Sequence, residues 1–329
     1  KKYLSYIPIL SERLNRIHKL DESQLYWETI LGITFLIHVA QCLLVYNTLK
    51  DKKDDKLFHN ICKERFNIPW DEKDYRDTYV NKDLGHTILA NIYYHTFLEK
   101  HFNNVSARPA MVGKNIITFT KKIFSTSIKI LLKELIIQIL HRIKSPKTII
   151  FETYWNRDEI QKIQLISHCN VQYKKINFDN GINKVIINKK SREILSDISR
   201  INDDFDKFLL RSLKYTIPTS LVERFDVRKD QAEKILTKSF NLKNILNESI
   251  SPDALLLIAL SKKKNIKSHY IEHNYLQHQF VGNNIWYVKR KYDYFLSLGW
   301  KCKSDPNHIP CSSNYNWQVK ANKIKSIDI

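Results

Sequence analysis

The chain has 329 residues, 43% hydrophobic and 12% aromatic, enough apolar material for two compact bodies with cores of their own. No long stretch lacks apolar residues, which excludes a disordered chain. The formal net charge of +20 suits nucleic acid, an anionic membrane surface or a phosphorylated substrate.

The lysines are dispersed, and no run interleaves arginine with aromatics as a nucleic-acid groove does. Lys, Ile and Asn abound while Gly, Pro and Ala are scarce, so AT-rich coding accounts for much of the excess. No nucleic-acid partner is expected; an anionic membrane surface stays open.

The sequence opens on Lys1-Lys2-Tyr3 without an initiator Met, and 323–329 is apolar and basic. Both ends read as cuts, and no signal-peptide pattern follows Lys1. After Pro8, Ile9, Leu10, Leu14 and Ile17 recur at helical intervals, predicting an amphipathic helix. Asp21 and Ser23 are N-cap types ahead of the apolar run Leu25 to Tyr46. A bilayer needs about 20 apolar residues, and Glu28, His38 and Gln41 interrupt this run, so a buried core helix is expected rather than a membrane span. Residues 47 to 66 read as a polar connection and Asp83 to Phe102 as a further helix. From Lys121 to Lys144, apolar residues such as Ile128, Leu132 and Ile139 oppose Lys121, Lys122, Lys129, Lys133 and Arg142. That composition fits an interfacial helix or an ordinary amphipathic helix packed on a core.

At Pro146 the pattern changes to short β-branched runs. Thr148 to Phe151, Val171 to Ile176, Val185 to Ile187, Leu242 to Leu246, Ser268 to Ile271 and Tyr292 to Leu298 read as strands. Arg157 to Ser167 and Gln231 to Phe240 read as helices between them. Strands alternating with helices imply a parallel sheet, because parallel neighbours need crossover connections. The expected fold class is therefore α/β: a helical N-terminal region over 1–145, then a doubly wound, mainly parallel Rossmann-like sheet over 146–300, with 301–329 as a linker.

In such a sheet the ligand crevice lies beyond the carboxyl ends of the strands, which makes the strand ends candidates. The chain presents Glu152-Thr153-Tyr154-Trp155, then Asn247-Glu248-Ser249, then Glu272-His273-Asn274-Tyr275. The second and third bracket a βαβ unit whose helix has Ser251 to cap it, Pro252 and Asp253 in its first turn and Lys262-Lys263-Lys264 at its end. Transfer to a hydroxyl needs a group that takes its proton. His273 titrates near neutrality, and Glu272 and Glu248 are the carboxylates beside it, so these three are the catalytic candidates. Glu152, Ser249, Asn274 and Tyr275 are the substrate-binding candidates.

There is no P-loop, GxGxxG, HExxH or GxSxG. Six glycines leave little for a backbone phosphate cradle, so phosphate recognition falls to side chains or helix N-termini. The five cysteines, Cys42, Cys62, Cys169, Cys302 and Cys311, form no CxxC pair and fit reduced cytoplasmic thiols. Cys302 and Cys311 bracket His308, but the spacing matches no zinc motif. No metal and no permanently bound cofactor is expected.

Asn15-Arg16-Ile17-His18, Ser23, Tyr26-Trp27, Gly32 and Leu36-Ile37-His38 resemble the helical segment of transferases encoded in bacterial O-antigen and surface-carbohydrate loci. Asp83 and His86 look like that family's Asp-x-x-His element, with Gly85 where Asn is usual. The unit ending at Glu272-His273-Asn274, followed by Asp293, Tyr294-Phe295-Leu296-Ser297 and Gly299-Trp300, looks like its second signature. Where the family usually has Gln-His-Gly-Gly, only His273 matches directly, and Asn283-Asn284-Ile285-Trp286-Tyr287 replaces an acidic, His-rich stretch. The resemblance implies a GT-B-like glycosyltransferase whose second, nucleotide-binding Rossmann domain would begin near Lys320.

The function expected is therefore transfer of a sugar from a nucleotide-activated donor, a CMP-linked ulosonic acid among the candidates, to a saccharide or lipid-linked acceptor. The enzyme would work in the cytoplasm or at the inner face of the membrane. Transfer of a polyol-phosphate unit and a non-catalytic, membrane-peripheral assembly role are the alternatives.

Overall fold

The computed structural model describes residues 2–50, 66–80, 84–98, 105–107, 135–137, 139–140, 144–153, 155–178, 185–272, 290–298 and 305–311. The chain divides into two compact units, Lys1–Thr120 with Asn177–Ala232, and Lys121–Ile176 with Glu233–Ile329. The pattern change at Pro146 is thus not the only division, because 177–232 returns to the N-terminal unit.

The first unit is helical. It holds α1 (Lys2–His18), α2 (Gln24–Leu49), α3 (Glu72–Tyr79) and α4 (Leu84–Leu98), and a small parallel pair of strands, β1 (Phe66–Ile68) and β2 (Val105–Ala107). α1 runs back through Pro8, where the sequence suggested a start. Pro8 and Leu4 both face solvent, so the carbonyl that proline leaves without an N–H partner is open to water. α2 is the expected core helix: Trp27, Ile30, Leu31, Phe35 and Val39 are buried, each such side chain stabilising by about 1.5–3 kcal/mol. Ser23 caps it, accepting the Tyr26 N–H at 3.2 Å. Gly32, at φ 60°, kinks it, a conformation that glycine takes without steric cost.

Several residues that carry the family resemblance hold this unit together. Asn15 closes the α1–α2 turn, accepting the Glu22 N–H at 3.0 Å and the Trp27 Nε1–H at 2.7 Å. His18 stacks on Trp27 with ring centroids 5.7 Å apart. Gly85 abuts the backbone of Tyr79, where a Cβ would come within 2.4 Å of the Tyr79 Cα; any side chain there requires the α3–α4 junction to move. His38 is buried and bonded on both ring nitrogens, Nδ1 to the Tyr75 hydroxyl at 2.9 Å and Nε2 to Ser212 Oγ at 2.7 Å. Ser212 donates its own proton to Leu209 O, so His38 Nε2–H is the donor to Ser212, and Tyr75 donates to Nδ1. Burial pushes His38 down to about 3, keeping it neutral.

The second stretch of this unit forms α5 (Lys189–Leu195) and α6 (Asp204–Thr216), and opens α7 (Phe225–Thr237). Val185 to Ile187, expected as a strand, is not one. Ile186 is 87% exposed and the segment has no ladder partner among the described residues; it leads instead to Asn188, which caps α5. β-Branched residues favour a strand only where neighbours pack on them. Arg192 on α5 makes a buried two-pronged ion pair with Glu223, 2.8 Å for each contact, and donates to the carbonyls of Lys214 and Ile217.

The second unit is the expected α/β body. Six parallel strands, β3 (Thr148–Phe151), β4 (Val171–Tyr173), β5 (Asn244–Asn247), β6 (Lys267–Ile271), β7 (Tyr294–Leu298) and β8 (His308–Cys311), lie in the order β4-β3-β5-β6-β7-β8. The helix Arg157–Ile166, α8 here, links β3 to β4, and α9 (Pro252–Lys263) links β5 to β6. Parallel crossovers are right-handed, so the leftward step to β4 and the rightward step to β6 carry these helices to opposite faces, a doubly wound arrangement. An Asn156–Glu159 capping box starts α8. α9 is buried from Ala254 to Ser261, as a helix apolar all round must be.

β8 falls where a linker was expected. It is an edge strand, the place where Pro310 costs no ladder bond. At the amino ends of β6 and β7, Asp293 accepts from the Ser268 N–H and hydroxyl, both at 2.8 Å, so this resemblance residue clamps two strands. Of 121–144, residues 135–137 and 139–140 are helical, with Leu135 and Ile136 about half exposed, and Lys144 donates to His168 O at 3.2 Å. Lys121, Lys122, Lys129, Lys133 and Arg142 lie outside the described residues.

Candidate active site

From β3 the chain first steps to one side, to β4, and later resumes on the other, at β5. The gap between the carboxyl ends of β3 and β5 is therefore the topological switch point, where open α/β sheets bind ligands. Phe151 pairs with Asn247, so Glu152 and Glu248 emerge side by side. The Glu248 N–H donates to Glu152 O at 3.3 Å. Glu272 emerges from β6, the next strand over, where its N–H donates to Leu296 O at 2.9 Å. Three successive strands thus end in a glutamate. Glu248 and Glu272 are fully buried, whereas Glu152 is half-buried.

Glu152 has a φ of 47°. Four other non-glycine residues have positive φ among the described residues: Lys19, His168, Cys169 and Asn265. All four follow the last turn of a helix, where the left-handed conformation is the ordinary way to stop. Glu152 alone takes it at the end of a strand.

The Glu152 carboxyl is held on one side. Ser251 Oγ donates to Oε1 at 2.5 Å while accepting the Ala254 N–H at 3.1 Å as the cap of α9. The Ser249 hydroxyl accepts the Ser251 N–H at 3.2 Å. Burial raises the Glu152 carboxyl above its usual range; the Ser251 and Ser249 hydroxyls pull it back and Asp253 pushes it further up. Glu152 Oε2 is buried without a hydrogen-bond partner among the described residues.

Two neighbours share that condition. Asn247 Nδ2 donates to Ser249 O and, at 2.9 Å, to the Tyr292 hydroxyl, but among the described residues Asn247 Oδ1 has no hydrogen-bond partner, and neither does Trp155 Nε1. Buried polar atoms are nearly always paired in folded proteins, and these two acceptors and one donor lie where open α/β sheets bind their ligands. Burial pushes the Tyr292 phenol up, keeping it a protonated partner for Asn247.

The structure brings together Glu152, Glu248 and Ser249 and places Glu272 on the adjoining strand. His273, Asn274 and Tyr275 lie outside the described residues. Two contributors escaped the sequence. Ser251 reads as a helix cap and no more, and Tyr292 reads as the start of a strand, with nothing local to signal its reach to Asn247. Cys311 and His308 lie on β8, where His308 packs edge-on to Phe295 with ring centroids 5.2 Å apart. Among the described residues no group of three His, Cys, Asp or Glu side chains is placed to hold a metal.

A doubly wound parallel sheet with carboxylates and hydroxyls gathered at its switch point defines an α/β protein of Rossmann-like fold. The chain belongs to the LIC12162 family of transferases, whose family model matches residues 1–327. No curated protein and no solved structure matches it.

Proposed function

We propose that this transferase moves a sugar from a nucleotide-activated donor to a hydroxyl of a saccharide or lipid-linked acceptor, in the synthesis of a bacterial surface polysaccharide such as O-antigen or capsule. The observation that carries it is the trio of open polar atoms at the switch point, Glu152 Oε2, Asn247 Oδ1 and Trp155 Nε1. Acceptors dominate the trio, and three glutamates stand on the same edge. Such an edge repels a phosphate and suits a neutral ligand rich in O–H donors, which is what a sugar acceptor is. Membership in a transferase family supplies the reaction class.

On this proposal the acceptor hydroxyl lies against the β3–β5 edge, and the groups at hand to take its proton are Glu152, Glu248, Glu272 and His273. Ser249, Asn274 and Tyr275 are assigned to substrate. The donor is a nucleotide sugar, CMP-linked ulosonic acids among the candidates, made in the cytoplasm. The net charge of +20 favours work at an anionic inner leaflet.

The test is to incubate the protein with a panel of nucleotide sugars and with saccharide and lipid-linked acceptors, following nucleotide release and product mass. Release tied to a glycosylated product is expected. Neither release nor product with any pair would contradict the proposal.

A further inference from the structure

We infer that Glu152 is the catalytic base of this transfer, with Ser251 as the residue that positions it, an assignment that rests on the sugar transfer proposed above. Sequence alone gave Glu152 a binding role and the proton to His273, Glu272 or Glu248. Two observations single out Glu152, its backbone and the hold on its carboxyl.

The first is the backbone. A β-carbon in the left-handed region is strained, and Glu152 takes that conformation without ending a helix. Strain of this kind persists where the surroundings impose it, and it concentrates at active sites. The second is the division of labour between the two oxygens. Oε1 is fixed by Ser251, whose hydroxyl is itself oriented by the Ala254 N–H at the start of α9; Oε2 is buried with no hydrogen bond among the described residues. A base needs this asymmetry, one oxygen anchored and one available.

Burial that raises the Glu152 carboxyl also moves it toward the basicity that general-base catalysis wants near neutral pH. The step balances without any further reagent. Glu152 Oε2 takes the proton of the acceptor O–H, and that oxygen forms its bond to the anomeric carbon. The bond from that carbon to the donor's phosphate oxygen breaks, and its electron pair leaves with the nucleotide.

The experiment compares wild type, Glu152→Gln, Ser251→Ala and Ser251→Thr in the full chain. It measures kcat and KM for nucleotide release with acceptor, the pH profile of kcat/KM, nucleotide-sugar binding, and the melting temperature. Glutamine keeps the size and one acceptor oxygen and cannot take a proton. Glu152→Gln is expected to lose about a hundredfold or more in kcat with donor binding and melting temperature within error of wild type. It should also lose the acidic limb of the pH profile. Ser251→Ala should lower kcat less and move that limb to higher pH, because the hydroxyl that stabilises the carboxylate is gone; Ser251→Thr should restore both.

If wild type turns over and Glu152→Gln keeps its acidic limb and most of its kcat, the assignment of the base is overturned and the transfer stands. Wild type without turnover on any donor–acceptor pair overturns both. Should Glu152→Gln not fold, the decision passes to the serine pair: an unmoved acidic limb in a folded Ser251→Ala protein overturns the assignment.

Discussion

His38 and Glu152 are both ionisable side chains withdrawn from water, and they differ in what meets them. His38, in the helical unit, has a partner on each ring nitrogen, and its burial serves to hold Tyr75 and α6 against α2. Glu152, at the sheet edge, has one oxygen fixed and one buried without a partner, on a backbone that no helix end explains. Burial of a titratable group therefore says little by itself. Completed bonding marks a structural role, and bonding left incomplete in a strained position marks a site.

The contrast breaks most visibly at the buried ion pair of the helical unit. Arg192→Ala leaves Glu223 buried with its opposite charge removed and should cost about 3–5 kcal/mol, measured by urea unfolding. A loss under about 1 kcal/mol would mean that the helical unit does not depend on its completed bonds.

Acid should act through His38 next. The folded histidine stays neutral down to about 3, while the unfolded one takes up a proton below about 6.5. Between those values the unfolded state binds more protons, so stability is full above the unfolded value and falls as the pH drops through the window. At pH 5 the loss should be roughly 2 kcal/mol. His18, also lowered by burial, should add to it in the same direction. In a His38→Gln protein, unfolding measured from pH 7 to pH 5 should show a shallower decline; an unchanged decline would remove His38 as its source.

Between the two regions the sequence was unevenly legible, for physical reasons. β3 was readable to the residue, because Thr148 to Phe151 is a short β-branched run bounded by Pro146 and a polar turn. Val185 to Ile187 carries a similar local signal and is not a strand, since only a neighbouring strand could complete its ladder. α6 shows its cap at Asp203 and a helical period in Phe205, Phe208, Leu209 and Leu213, local signals for a helix that was not among the expected elements. The rule that strand ends bear ligands located Glu152, Glu248 and Ser249 on one edge. The sign of φ at Glu152, the bond from Ser251 and the reach of Tyr292 past β6 to Asn247 depend on the order of β3, β5, β6 and β7 in the sheet, which no local pattern encodes.

Ser251 sharpens the comparison from the stability side. Ser251→Ala removes the cap of α9 and should cost about 1 kcal/mol, recovered by Ser251→Thr in thermal unfolding. A much larger loss would mean that the Glu152 contact is structural rather than positioning.

The most direct measurement is the unfolding free energy of Glu152→Gly. Glycine relieves a left-handed conformation worth about 1 kcal/mol and removes a carboxylate that burial disfavours, against the loss of one hydrogen bond from Ser251 worth about as much. The account predicts a protein at least as stable as wild type that has lost transfer activity, because the strain at residue 152 is maintained for function. A protein destabilised by about 2 kcal/mol or more would show instead that Glu152, like His38, is a structural residue with completed bonding.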